Sequence, residues 1–506
     1  MTNRMIASLA AGAILALSAC QSPPQPAAPA PKLAAEFDAV LDAAWAGAAH
    51  PPGAAIAVYT PEGVYVRGLG VTDVATGEKV SADTAFYIAS TTKAFTALAI
   101  DAIAHRGEID LDATLAGLAP DAPFPAGVHP ELVKVRDLLT HTSGIENGPI
   151  AFRSAYTGDH TPELMWKLLG ASGVNPRAPL GKFEYTNTGY NILTIVTDRK
   201  LGVRWQDLLQ REIFTPAGMT HSTAYMSKAR REGWSIAKPH ASLAAGPADR
   251  LDIEKTDGMM QSAGGLVVSA NDAARWLELL VEDGRVRGRQ VVPAEVVRET
   301  GARLAKVGAV RGAFTREDYG LGWYVGRYRD DLVLSHGGGF AGFASFISYM
   351  PDRRIGVAVF VNDSGAGSAM PEAITQYLYD RLLGRPEAAD TAIVVAGLKT
   401  AFEDRVAAVV ADKANRAKRP WTLSRPRAAY AGTYESEQLG TLVVTADGEK
   451  LSARLGPLHA DAEPYTQPDS IRAAFAGAGM VIGFEPGPDG QVTAATFNGA
   501  RFQRVK

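Results

Sequence analysis

The chain has 506 residues, of which 46% are hydrophobic and 21% are charged, and it contains 51 glycines and 30 prolines. At about 100–200 residues per domain this length predicts several folded domains, and the composition excludes a largely disordered or collagen-like chain. The formal net charge of −3 leaves no basic excess to neutralise phosphates, so no nucleic-acid partner is expected. The single cysteine excludes an internal disulfide, a cysteine-bound zinc site and a Cys-x-x-Cys redox pair.

The N-terminal residues have the pattern of an export signal. Arg4 precedes an apolar, alanine-rich run from Met5 to Leu17, which is shorter than the roughly 20 apolar residues of a membrane-spanning helix. The run ends in Leu-Ser-Ala-Cys20, which resembles the cleavage box of bacterial lipoproteins. The resemblance implies a signal peptide over residues 1–19 and lipid attachment at Cys20; the alternative is an ordinary signal peptide with a chance cysteine near its cleavage site.

Residues 20–35 follow as a tether rich in proline and alanine, a composition that holds a domain away from a membrane surface. The expected location is the periplasmic face of a bacterial membrane, with the lipid anchor as the membrane contact. Gln21, directly after the cysteine, favours the outer membrane by the same lipoprotein resemblance.

The first predicted elements belong to an α+β domain over residues 36–385. Two strands joined by a tight turn and a helix from about Ser90 to His105 precede a region, roughly 110–260, that is rich in loops and helices. Strands and a closing helix then return, so distant segments must share one sheet flanked by helices, with a helical subdomain between them. The predicted strands and closing helix are Ala54–Tyr59, Gly63–Gly70, Tyr319–Tyr328, Leu332–His336, Ala344–Met350, Ile355–Val361 and Pro371–Leu383.

The C-terminal part has a different pattern. Residues 386–425 are interpreted as a helical linker, and its basic stretch Lys413–Arg419 as a solvated helix end. Short alternating runs separated by Gly and Asp turns then predict a small all-β, barrel-like domain over 426–506. The runs are Thr433–Tyr434, Thr441–Thr445, Leu451–Leu455, Met480–Phe484 and Gln491–Phe497.

The candidate nucleophile is Ser90. Lys93 follows three residues later, on the same helical face, where its amine can reach the serine hydroxyl. The spacing alone is weak evidence, because Ser235 and Lys238 form a second such pair, but that pair runs into Pro239 and has no apolar helical continuation. The helix after Ser90 is apolar nearly all round and is therefore expected to be buried, so Lys93 needs a partner or a lowered pKa.

Two further motifs accompany this pair. Tyr185 and Asn187 form a Tyr-x-Asn motif, and His336 opens a His-Gly-Gly-Gly run that contains Gly338 and Gly339. Each motif alone has an ordinary structural interpretation, as a turn tyrosine, a glycine hairpin or a core histidine. Together, in the order Ser-x-x-Lys, Tyr-x-Asn and His-x-Gly, they resemble the serine β-lactamase and penicillin-binding-protein family.

The resemblance covers about residues 36–385 and is greatest to the branch that holds class C β-lactamases, D-aminopeptidases and esterases. It implies a β-lactamase-like fold, and residues from about 426 resemble the lipocalin-like domain often appended to this branch. The supporting segments are Thr84–Ser90, Asp137–Ile145, Pro216–Thr220, Ser262–Leu266 and Tyr319–Trp323.

The resemblance implies covalent acyl transfer at Ser90, with Lys93 and Tyr185 moving the proton and either of them as the base. Tyr185 would then need a lowered pKa, which a Lys93 ammonium is expected to provide. Asn187 would hold a substrate amide oxygen. The N–H groups of Ser90 and Gly339 would form the oxyanion hole, and Gly338 beside them would let substrate lie against the strand.

One departure from the family pattern concerns substrate choice. His336 stands where β-lactamases generally carry lysine, and Gly337 where they carry threonine or serine, which argues against efficient β-lactam hydrolysis. Because an ordinary histidine titrates near pH 6.5, we expect His336 to become charged below that pH and to favour carboxylate-bearing substrates there.

The sequence therefore predicts a serine hydrolase of esters or D-residue peptides, with weak β-lactamase activity as an extension and no cofactor or metal. The alternative is a lipid-anchored binding or sensor protein that is acylated at Ser90 but barely turns over. An α/β-hydrolase is not indicated because the chain has no Gly-x-Ser-x-Gly, and a metalloprotease is not indicated because it has no His-Glu-x-x-His. The substrate is a small molecule or peptide, and the sequence does not define an oligomeric state.

Overall fold

The computed structural model describes residues 33–47, 49–243, 248–488 and 490–505. The predicted signal peptide, Cys20 and the tether up to residue 32 lie outside the described residues. No described helix combines the length and apolarity needed to cross a membrane.

The hydrolase part is built around one antiparallel sheet of eight strands. The N-terminal hairpin lies at one end of this sheet, because Gly53–Thr60 pairs with Ile355–Val361 from the far end of the domain. The predicted α+β fold with distant segments in a shared sheet is therefore confirmed. In spatial order the strands are Ala305–Arg311, Phe314–Tyr319, Tyr324–Tyr328, Asp331–Phe340, Phe343–Met350, Ile355–Val361, Gly53–Thr60 and Gly63–Gly70.

Helices cover both faces of this sheet, and strands that lie between them are buried along their length. Every residue of Ile355–Val361 is buried, as expected for a strand covered on both sides. On one face Ala270–Val281 packs with Leu277 against Gly356, and Thr92–His105, hereafter the nucleophile helix, lies in the same core. The helices Ala34–Trp45, Met370–Leu382 and Thr391–Ala417 cover the other face.

The helical subdomain occupies the middle of the chain. Its elements are short because glycine, proline and capping side chains interrupt them; Thr161 and Asn147, for example, cap helices that begin with or near a proline. The remaining helices of the domain are Leu115–Leu118, Val135–Leu139, Gly148–Phe152, Pro162–Leu168, Thr188–Leu201, Trp205–Leu209, Thr215–Ala217, Met226–Arg231 and Ala294–Thr300.

The C-terminal domain is a closed eight-stranded antiparallel barrel, which confirms the barrel-like prediction. Aromatic and aliphatic side chains such as Tyr434, Phe475 and Phe502 fill its interior. The sequence runs predicted five of the strands and missed three, in which alanine and charged residues replace the large apolar ones. The strands are Gly432–Ser436, Gly440–Asp447, Lys450–Leu455, Leu458–Pro464, Ser470–Phe475, Ala478–Pro486, Val492–Phe497 and Ala500–Arg504.

Two predicted boundaries near the motifs are wrong. Tyr319–Tyr328 is not one strand, because the chain turns at Gly322, which has a positive φ of 81°. Gly322 also lies against the backbone at the start of the nucleophile helix, where a side chain would not fit. The strand predicted to end at His336 continues to Phe340, because glycines can still pair in a ladder, here with Phe343–Met350. We call Asp331–Phe340 the histidine strand. The helix predicted from about Ser90 to His105 is confirmed, since the 3₁₀ turn Ala89–Thr91 continues directly into the nucleophile helix.

Candidate active site

Ser90 lies in the turn Ala89–Thr91 at the head of the nucleophile helix. The preceding Ala89 adopts a left-handed conformation with φ of 49°, which costs energy in a residue with a Cβ and is typical of functional sites. Gly338 of the histidine strand lies directly against this turn: a methyl group built on it would come within 2.3 Å of the Ile88 carbonyl oxygen and 3.1 Å of the Ser90 nitrogen. Only glycine lets the strand approach the nucleophile this closely.

Lys93 is buried beneath Ser90 and is surrounded by oxygen atoms. Its Nζ lies 3.3 Å from Ser90 Oγ, and it donates to Asn187 Oδ1 at 2.8 Å and to the Ala263 carbonyl oxygen at 2.7 Å. Lys93 has no carboxylate partner among the described residues. Burial therefore holds the pKa of Lys93 well below its usual range, as the sequence predicted for a lysine at the head of a buried helix.

The three oxygen neighbours suit an ammonium that donates to all of them, and they also suit a neutral amine that accepts from the third. A neutral amine has two N–H groups and one lone pair, and the oxygens of Asn187 and Ala263 can only accept hydrogen bonds. When both N–H groups are donated to them, the lone pair is left for the third neighbour, the hydroxyl of Ser90. The arrangement can thus hold Lys93 as a proton acceptor for the serine.

Tyr185 stands beside the lysine. Lys93 Nζ lies 4.8 Å from the centre of the Tyr185 ring, and the Tyr185 and Ser90 side chains interact. Burial nevertheless raises the pKa of Tyr185 above its usual range, and the lysine does not offset this. The expected lowering of the Tyr185 pKa by a Lys93 ammonium is therefore wrong, because burial decides the direction of the shift.

Asn187 is exposed, and its amide is oriented by the bond from Lys93. Because Oδ1 faces the lysine, the amide nitrogen is available; it makes no hydrogen bond to any described residue. An exposed amide nitrogen at this position can donate to a carbonyl oxygen of a bound molecule.

His336 is fully enclosed at the other side of the site. Its Nδ1 lies 2.7 Å from the Gly337 carbonyl oxygen and its Nε2 3.1 Å from the Tyr319 hydroxyl. Burial, together with the nearby Lys93, lowers the pKa of His336 to about 3. The expectation that this histidine becomes charged below pH 6.5 is therefore wrong, because its surroundings disfavour the imidazolium throughout the physiological range.

A group of buried rings encloses the lysine and the histidine. His141, which is also buried and has a pKa held well below its usual range, lies 4.5 Å from the Tyr185 ring and accepts a hydrogen bond from the Thr186 N–H. Its Nε2 has no hydrogen-bond partner. The sequence indicated His141, Tyr319 and Ala263 only as parts of supporting motifs and assigned them no role.

A cavity of about 370 Å³ opens over Ser90, Tyr185 and His336. Two charged residues that the sequence did not indicate, Arg316 and Glu372, also line it. No motif marks them, since they come from a strand and a helix whose sequences are otherwise ordinary. The histidine strand supplies Gly337, Gly338 and Gly339 to the wall.

Arg316 stands out among these wall residues. Its guanidinium lies 4.4 Å from the centre of the Tyr324 ring, its Nε is buried without a hydrogen-bond partner, and it forms no ion pair with a described residue. An arginine stacked on an aromatic ring and lacking a carboxylate partner is suited to receive an anionic group.

The site brings together the Ser90 hydroxyl at a helix start, a buried amine 3.3 Å from it, and a glycine strand along the cavity, which are the elements that acyl transfer through a serine requires. The Beta-lactamase family model matches residues 37–381, and the chain belongs to this family. The chain is a serine hydrolase.

Three similar proteins illustrate the range of the family. An unguisins hydrolase of Aspergillus violaceofuscus is 27% identical over 81% of this chain and 75% of its own length. The octameric penicillin-binding protein homologue of Pyrococcus abyssi has the same fold with a TM-score of 0.58 and 22% identity, covering 92% of this chain and 99% of that one. The D-amino acid amidase of Ochrobactrum anthropi matches with a TM-score of 0.53 and 20% identity over 68% of this chain and 98% of that one.

Proposed function

We propose that the protein hydrolyses an ester or amide through an acyl-enzyme on Ser90, with Lys93 as the base. The observation that carries this proposal is the position of Lys93 Nζ, which is buried without a carboxylate partner among the described residues and lies 3.3 Å from Ser90 Oγ, because an amine that is neutral there can take the serine proton. The raised pKa of Tyr185 makes the tyrosinate a poor alternative base at neutral pH.

In the first step the Ser90 proton passes to Lys93, Oγ bonds to the substrate carbonyl carbon, and the carbonyl oxygen takes the negative charge. The N–H groups of Ser90 and Gly339 stabilise that charge in this proposal, and Asn187 holds the neighbouring amide oxygen of the substrate. When the tetrahedral intermediate collapses, the bond to the leaving group breaks. Tyr185 hands its proton to the leaving group and is reprotonated from the Lys93 ammonium. Water then attacks the acyl-enzyme, releasing the acid and restoring the Ser90 hydroxyl.

We further propose that the preferred substrate carries a carboxylate, which Arg316 binds. His336 cannot supply a positive charge, since its pKa is lowered to about 3. Arg316 lines the same cavity, its Nε lacks a hydrogen-bond partner, and the planar guanidinium matches a carboxylate in shape. A D-residue peptide with a free C-terminus fits this chemistry, and the named activity of the similar D-amino acid amidase points to the same class of residue.

The test is a panel of p-nitrophenyl esters, D-residue amides, D-residue peptides and a chromogenic cephalosporin. Wild type should turn over at least one ester or amide, and Ser90→Ala should lose that turnover. Trapping the intact protein by acid quench should show an adduct on Ser90 by mass spectrometry. Turnover that survives Ser90→Ala would reject the assignment.

The alternative is a penicillin-binding type of sensor, a reading favoured by the similarity to a penicillin-binding protein homologue. Such a protein would give a stoichiometric burst and a long-lived Ser90 adduct with the cephalosporin, with no steady state on any ester or amide. A steady state that exceeds one turnover per molecule excludes it.

We also propose that the protein is exported and anchored through lipid on Cys20, on the support of the lipobox-like Leu-Ser-Ala-Cys20. Metabolic labelling with a clickable fatty acid in a bacterial host should label the wild type and not Cys20→Ala. Equal labelling of the two proteins, or no labelling of either, would contradict the anchor.

A further inference from the structure

The glycine part of the histidine strand has few side chains to hold it in place. Gly337, Gly338 and Gly339 follow one another, and open space surrounds the position of a Cβ on Gly339. Runs of glycine have large conformational freedom. This segment is paired with Phe343–Met350 on one side only, because its pairing with Tyr324–Tyr328 ends at Ser335, so its position also depends on what fixes its two ends. At the first end His336 is held by Gly337 and Tyr319. At the second end the first side chain is that of Phe340.

The ring of Phe340 is in contact with three other side chains. Its ring centre lies 5.3 Å from that of Tyr87 and 5.0 Å from that of Tyr156, and the ammonium of Lys255 lies 3.5 Å from it. Lys255 is buried, and it donates a hydrogen bond of 2.7 Å to the carbonyl oxygen of Ala155. Two of these three contacts therefore lead to one segment, residues 148–160, which we call the docking segment.

The C-terminal barrel holds the docking segment. Phe497 of the barrel packs edge-on against Phe152 with ring centres 5.0 Å apart, and Phe152 stacks on Tyr156 at 5.1 Å. Arg153, whose side chain is 6% exposed, donates to the Gln438 carbonyl oxygen at 2.5 Å.

A second polar contact joins the same surfaces at their edge. The amide of Asn498, in the turn after the strand that holds Phe497, donates to the Gly148 carbonyl oxygen at 2.7 Å. Continuous ring contacts thus run from Phe497 through Phe152 and Tyr156 to Phe340, directly next to Gly339.

We propose that the barrel is a positioning element of the active site, acting through this chain of rings and through Lys255 on the strand that binds the oxyanion. The inference goes beyond the proposed function, and it rests on acyl transfer at Ser90 with the Gly339 N–H in the oxyanion hole. Tyr156, Lys255 and Phe497 are positioning residues, since none of them lines the Ser90 cavity. Removing their contacts should leave substrate binding unchanged and misalign the Gly339 N–H, whose hydrogen bond is strongest in the transition state. We therefore expect kcat to fall while KM stays nearly the same.

The experiment measures kcat and KM for p-nitrophenyl acetate in the full chain carrying Tyr156→Ala, Lys255→Met or Phe497→Ala. We expect kcat to fall about 10-fold in each, less than the roughly 100-fold or more of losing an oxyanion donor outright, with KM within about 2-fold of wild type. Tyr156→Phe and Phe497→Tyr keep the rings and should restore most of kcat.

Phe502→Ala is the matched control, because Phe502 is equally buried in the barrel and has no ring contact with the docking segment. It should lower the melting temperature as Phe497→Ala does while leaving kcat near wild type. Wild-type kcat in Tyr156→Ala and Phe497→Ala, or an equal loss of kcat in Phe502→Ala, would overturn the inference. A wild type that does not hydrolyse the ester, with no Ser90 adduct, would instead reject the proposed function.

Discussion

The hydrolase domain and the barrel bury different kinds of side chain. Lys93, His141, Lys255 and His336 are all buried in the hydrolase domain, each with a pKa lowered by its surroundings. In the described part of the barrel, Ser470 is the one buried residue whose side chain is neither aliphatic nor aromatic. The charged groups of the barrel pair at its surface, as Arg472 does with Glu463 and Arg501 with Glu485.

This difference separates the domain that performs chemistry from the one that supports it. A buried ionisable group without a counter-ion lowers stability and is retained where reactivity needs it. The described part of the barrel has no buried ionisable group of this kind, so its stability is not lowered in this way. The barrel is therefore suited to be the more stable side of the interface with the docking segment. Replacing a buried ionisable side chain of the hydrolase domain should therefore change both the activity and the pH dependence of stability.

The largest effect is expected for Lys93→Met. Loss of the base should lower kcat/KM by about 1,000-fold, within the range of general base catalysis. The variant should also change the pH dependence of stability. A lysine with a depressed folded-state pKa binds fewer protons in the native than in the unfolded protein, so wild-type stability rises with pH between the folded pKa and about 10.4.

The stability difference between wild type and Lys93→Met should therefore move in favour of wild type from pH 6 to pH 9, measured by chemical denaturation. Lys399→Met, on an exposed face of Thr391–Ala417, is the control and should show no such slope. A pH-independent difference for Lys93→Met would mean that the lysine is charged in the native protein.

The second largest effect is expected for Gly338→Ala. The added methyl group would meet the backbone of Ile88 and Ser90, which has no room to move, and overpacking of this kind costs about 1–3 kcal/mol. A displacement of the strand by about 1 Å should lower kcat by about 100-fold. Gly337→Ala is the matched control for folding, since its nearest neighbour would be the Phe346 ring at 3.7 Å. Equal melting temperatures for the two variants would contradict the close approach.

Much of this site could be predicted from sequence because the chemistry depends on local spacing. Ser90 and Lys93 are one helical turn apart, and motif order alone indicated that Tyr185 and Asn187 belong with them. The structure brings all four together, with Lys93 in contact with Ser90, Asn187 and the Tyr185 ring. The alternating apolar runs likewise predicted the sheet and the barrel.

The rest depends on distant contacts that leave no local pattern. Arg316 reaches the cavity because its strand neighbours that of Tyr324, and Lys255 meets Phe340 only in the folded chain. The protonation state of His336 was also not predicted from the sequence. His336 has an ordinary sequence context, but enclosure by Tyr319 and the proximity of Lys93 decide its pKa, and both are tertiary effects.

A smaller and substrate-selective effect is expected for Arg316→Ala. A hydrogen-bonded charge pair is worth about 1.5–3 kcal/mol, so kcat/KM should fall about 10- to 100-fold for an ester that carries a carboxylate, and about 2-fold or less for its neutral methyl ester. Arg327→Ala is the control, because that arginine is half exposed on the neighbouring strand Tyr324–Tyr328 and does not line the cavity. Equal losses on both esters would show that Arg316 supports the fold of the site and not the recognition of an anion.

The smallest expected effect is on the shape of the pH profile, and it tests whether the enclosure of His336 decides its charge. With a pKa lowered to about 3, His336 stays neutral from pH 5 to pH 8, so kcat/KM for the carboxylate ester should show no inflection near pH 6.5 that depends on it. Profiles of wild type and His336→Asn should therefore be parallel on a logarithmic scale, whatever their absolute difference. An inflection common to both profiles arises from a group other than His336. An inflection present in wild type and absent from His336→Asn would show that the imidazole titrates in the physiological range, and would return the role of substrate cation from Arg316 to the histidine.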